Sequence, residues 1–183
     1  LNPRTDSSLP IILESQKRKN KNFYFLPSSL TFKNNALYAE AREITFKNGK
    51  LTKYVTGNKK QIRIKDLDFV FIRQAPPYNM KYISSLHLLE QVKGINRFIN
   101  NPMGIRNAPE KISMLAFKNI IPPTIITRSK SEVEIFLKKN GKAVIKPLYG
   151  NGGESIYLVD QKDVNYNQII ERFTNQQSEP FIV

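Results

Sequence analysis

Apolar and polar positions fall into short blocks of two kinds along this chain, helical stripes and brief continuous or alternating runs, and together they outline an α/β protein. Asp6-Ser7-Ser8 offers side-chain oxygens to the free N–H groups one turn on, so a helix is predicted over 7–19. Phe23-Tyr24-Phe25-Leu26 reads as a short buried strand broken by Pro27-Ser28-Ser29. Residues 36–46 and 51–55 read as strands joined at Asn48-Gly49, a strong hairpin signal, with polar 56–60 as a turn. Phe69-Val70-Phe71-Ile72 is an uninterrupted apolar run of the kind covered on both faces in a parallel sheet. An amphipathic stripe built on Ile83, Leu86, Leu89 and Val92 predicts a helix over 80–93.

The second half repeats this alternation. Residues 97–102 read as a short strand ending in a turn, and Pro109 suits the first turn of a helix carrying Glu110, Lys111, Leu115 and Phe117. Residues 120–127 are extended, and Ser129 or Ser131 with Glu132 or Glu134 gives a capping-box start to a helix over 129–139. Strands follow at 142–146 and 156–159, then a helix at 165–174 and a further strand at 181–183. An apolar strand is an odd place for a complete protein to stop. The expected domain boundary lies between 101 and 109, where the first α/β section gives way to one bearing lysines and glycines.

The chemistry concentrates in that second section. Ala143-Val144-Ile145-Lys146-Pro147 closes on a lysine, and Gly150-Asn151-Gly152-Gly153 follows. Glycines let backbone N–H groups approach phosphate oxygens without a Cβ in the way, and Lys146 adds a point charge. The same glycine-rich turn also serves as an ordinary hairpin connection. It is not a Walker loop, since the lysine precedes the glycines and no Gly-Lys-Ser/Thr follows. Arg73, just past the 69–72 run, lies where ligands gather in open α/β sheets; an anion contact and a solvated loop arginine are both open readings. His87, the sole histidine, falls within a predicted helix and reads as a surface or packing residue.

The 183 residues, 40% hydrophobic, suffice to bury a core in one large or two small domains. No apolar run approaches a membrane span, and the opening residues lack the charged-then-apolar pattern of a secretory leader. Without cysteine there is no disulfide, thiolate metal site or cysteine nucleophile, which fits a reducing cytoplasmic location. A net charge of +14 raises the case for a polyanionic partner, yet the lysines are scattered and only 17–21 and Lys59-Lys60 are dense clusters. Small-nucleotide binding is therefore favoured over nucleic acid.

Taken in order, Arg73-Gln74-Ala75-Pro76-Pro77-Tyr78-Asn79, Asn101-Pro102, Ile105-Arg106-Asn107-Ala108-Pro109-Glu110-Lys111, Pro122-Pro123-Thr124 and Ile145-Lys146-Pro147-Leu148-Tyr149-Gly150-Asn151-Gly152-Gly153 resemble the prokaryotic glutathione synthetase family of ATP-grasp ligases. The resemblance covers nearly the whole chain. It implies a Rossmann-like, parallel-sheet pre-ATP-grasp domain over 1–109, lacking its first strand, and the α+β first part of an ATP-grasp domain over 110–183. It further implies ATP-driven joining of γ-glutamylcysteine to glycine through an acyl phosphate. Lys111, Lys146, Gly150, Asn151, Gly152, Gly153, Glu154 and Ser155 would bind ATP, with Lys146 and Arg73 as catalytic cations and Asp6, Ser7 and Arg73 at the dipeptide. Magnesium ligands are expected beyond Val183, with none in this chain, so the isolated chain is expected to be inactive. The implied enzyme is a homo-oligomer without a nucleic-acid or membrane partner. Ala75 stands where the family usually has an acidic residue. Rival readings are another ATP-grasp carboxylate–amine ligase, a basic polyanion-binding module, and a catalytically silent folding unit.

Overall fold

A computed structural model describes residues 1–92, 98–175 and 179–183. The chain forms two compact units, Leu1–Ala75 with Met80–Arg106, and Pro76–Asn79 with Asn107–Val183. The α/β class read from the sequence holds, with a parallel pair of strands in the first unit and antiparallel sheets in both.

In the N-terminal unit α1 (Ser8–Lys17) precedes a three-stranded antiparallel sheet of β1 (Phe23–Lys33), β2 (Ala36–Phe46) and β3 (Tyr54–Arg63), in that spatial order. A parallel pair follows, β4 (Val70–Phe71) with β5 (Phe98–Ile99), linked through α2 (Met80–Glu90). The central strand β2 buries Leu37, Ala39, Ala41, Ile44 and Phe46. Ile44 and Phe46 pack with Leu9 of α1, while Leu37 and Ala39 pack with Ile64, Val70 and Leu89. Those two clusters fix both helices and β4 against one sheet.

Several sequence expectations are corrected here. Pro27-Ser28-Ser29 does not break β1; the strand runs on, with a register shift between Phe25 and Leu30. β1 is an edge strand, where a missing N–H and a bulge are tolerated. Residues 56–60 are not a turn but the middle of β3, where Ala41 pairs with Lys60 and Arg42 with Lys59. Ladder pairing, with Lys59 on Glu40 at 2.5 Å and Lys60 4.3 Å over the Phe23 ring, outweighs the polar composition. The 69–72 run is not covered on both faces: Val70 is buried, but Phe69 and Phe71 are 61% and 47% exposed. The helix predicted over 80–93 ends at Glu90, and Lys93 and Arg97 lie outside the described residues. The turn expected at Pro102 is a helix, α3 (Pro102–Asn107).

In the C-terminal unit the helix expected after Pro109 is split into α4 (Glu110–Ser113) and a 3-10 turn at Met114–Phe117. Then come β6 (Ile126–Thr127), α5 (Lys130–Asn140), β7 (Ala143–Pro147), β8 (Tyr157–Val159), α6 (Tyr166–Asn175) and β9 (Phe181–Ile182). The strands form one sheet in the order β6-β9-β7-β8. Ser129 caps α5, its Oγ accepting from the Glu132 N–H at 3.4 Å. Val133 and Leu137 of α5, Ile170 and Phe173 of α6, and Ile145, Val159 and Phe181 of the sheet form the core. Phe173 and Phe181 meet edge to face at 5.3 Å.

Candidate nucleotide site

The core sets the direction of Lys146. Side chains alternate across a strand, and Ile145 is fully buried against α5 and α6, so Lys146 projects from the opposite face of the sheet. It is half-buried and has no ion pair among the described residues. Directly after Pro147 the chain enters the glycine loop. A Cβ on Gly150 would sit 3.0 Å from Pro147 Cβ, a close approach that favours glycine, while Gly152 and Gly153 have φ of 67° and 78°. Asn151, Gly152, Gly153 and Glu154 are exposed, and Ser155 is half-buried with φ of 56°.

Lys111, on the single-turn α4, reaches the entrance of this loop. Its Nζ donates to Leu148 O at 3.1 Å and Gly150 O at 2.6 Å. Burial holds the Lys111 pKa below the ordinary lysine value; Glu110 pulls it back up, and the Lys146 charge pushes it down again. The Lys146 charge is thus felt at the Lys111 ammonium. An anion bound beside them would offset that repulsion, and the N–H groups of Gly150, Asn151, Gly152 and Gly153, which reach no backbone acceptor among the described residues, could supply donors, whereas the Glu154 N–H donates to Asn151 O at 3.4 Å.

Sequence reasoning passed over a third cation. Arg172 of α6 donates to Tyr157 Oη at 3.0 Å and Ser155 Oγ at 3.5 Å, fastening the loop's exit as Lys111 fastens its entrance. Only the helical register of α6 against β8 could have revealed it, because no motif contains it. Tyr149 at the loop entrance meets Tyr78 with ring centroids 5.8 Å apart.

The other predicted site residues lie in the N-terminal unit. Arg73, just past β4, donates through Nη2 to Ser7 Oγ, bringing two of the three together. Asp6 does not reach one turn on as expected; its Oδ1 accepts from the nearby Ser8 N–H at 2.8 Å. Next to Arg73, Gln74 faces Ser85 of α2, whose Oγ lies 2.6 Å from Gln74 Oε1 and 2.6 Å from Tyr82 O. Sequence inspection gave Gln74 and Ser85 no role, since neither carries charge. No three His, Cys, Asp or Glu side chains gather among the described residues.

Comparison with known proteins bears on what this arrangement is for. Residues 1–106 match the model of the prokaryotic glutathione synthetase N-terminal domain, and residues 110–183 match that of the same family's ATP-grasp domain. The chain belongs to the prokaryotic glutathione synthetase family. Among its relatives, glutathione synthetase of Rhodopseudomonas palustris is 33% identical over 183 residues, which is 100% of this chain and 58% of that protein. The Mesorhizobium japonicum enzyme of the same name is 35% identical over 178 residues, 97% of this chain and 57% of that protein. The chain therefore spans a little under three-fifths of the length of these family members. In three dimensions it is similar to the ATP-grasp ligase PsnB, solved with a precursor peptide and AMPPNP, at a TM-score of 0.50 and 12% identity, covering 97% of this chain and 61% of that one. That likeness concerns the fold, and it agrees with an ATP-grasp ligase architecture.

Proposed function

We propose that this chain supplies the acid-substrate unit and the phosphate-gripping part of a glutathione synthase. In that reaction a cysteinyl carboxylate oxygen of γ-glutamylcysteine attacks the γ-phosphorus of ATP, and the bond from phosphorus to the ADP oxygen breaks. The glycine amine then attacks the resulting acyl phosphate at carbon; inorganic phosphate leaves, and the amine gives up a proton. What carries the reading is the pairing of Lys111 with Lys146 beside the glycine loop, in a chain whose two halves match the two domains of one family.

The division of labour follows from charge and geometry. Lys146, without an anionic partner among the described residues, and Lys111 would offset charge on the polyphosphate. The N–H groups of Gly150 to Ser155 would steady the transferring phosphoryl, and folding of the loop over it would keep water from the acyl phosphate. Arg73 with Ser7 and Asp6 would hold the dipeptide. Magnesium, which such ligases imply, finds no donor set among the described residues, and none of these steps runs through it. A cytoplasmic, homo-oligomeric enzyme acting on small molecules is the setting this reading carries.

The test is to join the chain at Val183 to the remaining C-terminal segment of the Rhodopseudomonas palustris relative. With γ-glutamylcysteine, glycine and ATP, the joined protein should release ADP and glutathione in equal amounts. Lys146→Ala should abolish turnover and leave the circular dichroism unchanged. ADP release indifferent to γ-glutamylcysteine, or unaltered by the substitution, contradicts the assignment; turnover with a different acid and amine pair would instead select another carboxylate–amine ligase.

A further inference from the structure

The glycine loop is tied down at its two ends and bare between them. Lys111 donates to Gly150 O at the entrance, and Arg172 donates to Ser155 Oγ at the exit. Residues 151–154 are exposed, and among the described residues their backbone makes one hydrogen bond, from Glu154 N–H to Asn151 O at 3.4 Å. A segment with so few contacts opens at little cost unless its ends are held. The exit is where the hold is least ordinary. Ser155 has φ of 56°, a left-handed backbone that favours glycine, and it follows Gly152 and Gly153 at 67° and 78°. A serine keeps that conformation only where its surroundings impose it. Arg172 imposes it through one fork: Nη1 donates to Tyr157 Oη at 3.0 Å, which fixes the guanidinium, and Nη2 completes the longer bond to Ser155 Oγ at 3.5 Å.

The side from which Arg172 approaches decides the kind of role it has. Tyr157 pairs with Ile145 in the β7–β8 ladder, and paired residues face the same way. Ile145 is buried against α5 and α6, and Tyr157 packs on the same cluster, edge to face with Phe173 at 6.0 Å. Arg172 precedes Phe173 in α6, so it reaches the loop from the helix side of the sheet, whereas Lys146 projects from the other face. We propose that Arg172 is the positioning residue of the glycine loop: fixed by the Tyr157 hydroxyl, it holds Ser155 left-handed, so that the loop N–H groups meet the polyphosphate of ATP already arranged instead of being ordered on binding. For its ligand the inference rests on the ligase reading; the clasp itself rests on the contacts of α6 with β8 and the loop. Arg172 touches no phosphate and acts through Ser155.

Nitrogen-15 relaxation of the 183-residue chain, with calorimetric titration of ATP into the same samples, tests this. In Arg172→Ala the order parameters of residues 152–155 should fall from their wild-type values into the flexible range, below about 0.6, while those of β7 and β8 stay unchanged. ATP should bind roughly threefold to tenfold more weakly, the net worth of one hydrogen bond. Ser155→Ala and Tyr157→Phe leave the Arg172 charge in place, and each should weaken ATP in the same direction. Arg172→Ala combined with Ser155→Ala should lose no more than Arg172→Ala alone. If Arg172 served only as a positive charge near the nucleotide, Ser155→Ala and Tyr157→Phe would bind ATP as the wild type does. If it served only to pack α6 on β8, the urea midpoint would fall with the loop's order parameters unchanged. Either result overturns the inference, as does a loop equally mobile in wild type and Arg172→Ala. Lys146→Ala in the same titration separates the two readings: ATP binding that depends on Lys146 and not on Arg172 removes the clasp and leaves the ligase reading standing, whereas no ATP binding by the wild type removes both.

Discussion

Lys111 gives two of its three ammonium protons to the Leu148 and Gly150 carbonyls, so the donor left for a phosphate is held in place by the loop's own backbone. That tie makes the loop's conformation part of nucleotide affinity. Gly153 reads this directly. Its φ of 78° is costly for a side chain, while the space around it is open, so Gly153→Val meets conformational strain without a clash. The substitution should cost about 1–2 kcal/mol in the loop's folded geometry. Because the loop is exposed, that cost should appear as weaker ATP binding, by roughly tenfold, with little change in the urea midpoint. An unaltered ATP affinity in Gly153→Val would show that the loop's observed backbone is not the one that meets phosphate. At this scale the sequence was most legible where chemistry needs a named residue type, as at Lys146 and the glycines. It was silent at Gln74, Ser85 and Arg172, whose parts depend on which neighbours the fold delivers.

Among the elements, α2 and α3 are joined by a clamp that gives the N-terminal unit a defined acid response. Arg106 donates to Glu90 through Nε at 2.9 Å and Nη2 at 3.4 Å. The hydrogen bond from Arg106 is the main reason the Glu90 pKa lies below its ordinary 4.5; the charges of Arg106 and His87 add to it, against a smaller opposing effect of burial. A carboxylate with a depressed folded-state pKa contributes stability that is complete above its unfolded value and is lost as pH falls through the folded value. Arg106→Gln should therefore lower stability at pH 7 by about 0.5–1 kcal/mol. The gap from wild type should close as pH drops below 4.5, in urea unfolding followed by circular dichroism. A gap that persists unchanged into acid would remove Glu90 from the account. Element types were mostly readable from apolar spacing and capping, as α5 behind Ser129 demonstrates. The misreadings have a common cause: β3 is polar and β1 contains Pro27, yet both are held by ladder pairing to β2, which a single segment's pattern does not reveal.

For the whole molecule, the excess positive charge is better understood as a field than as a surface for one long polyanion. The dense Lys59-Lys60 pair is partly answered by Glu40 and the Phe23 ring, and Lys21 by Glu43 at 3.4 Å. Lys146 has no ion pair among the described residues, and what sets it apart is its place at the end of β7, directly before the glycine loop. The fold as a whole was legible because two family-specific motif sets occur in order along the chain. The pairing of Lys111 with Lys146 was legible only through the family resemblance, since 35 positions separate them in sequence and no local pattern joins them. Calorimetric titration of ATP into the 183-residue chain, its Lys111→Ala and Lys146→Ala variants and the double variant measures that link. The grip described above predicts that each single substitution weakens ATP by roughly tenfold or more, and that the double variant loses less than the sum of the two in free energy, as for charges acting on one ligand. Single variants that bind ATP as tightly as the wild type would contradict it.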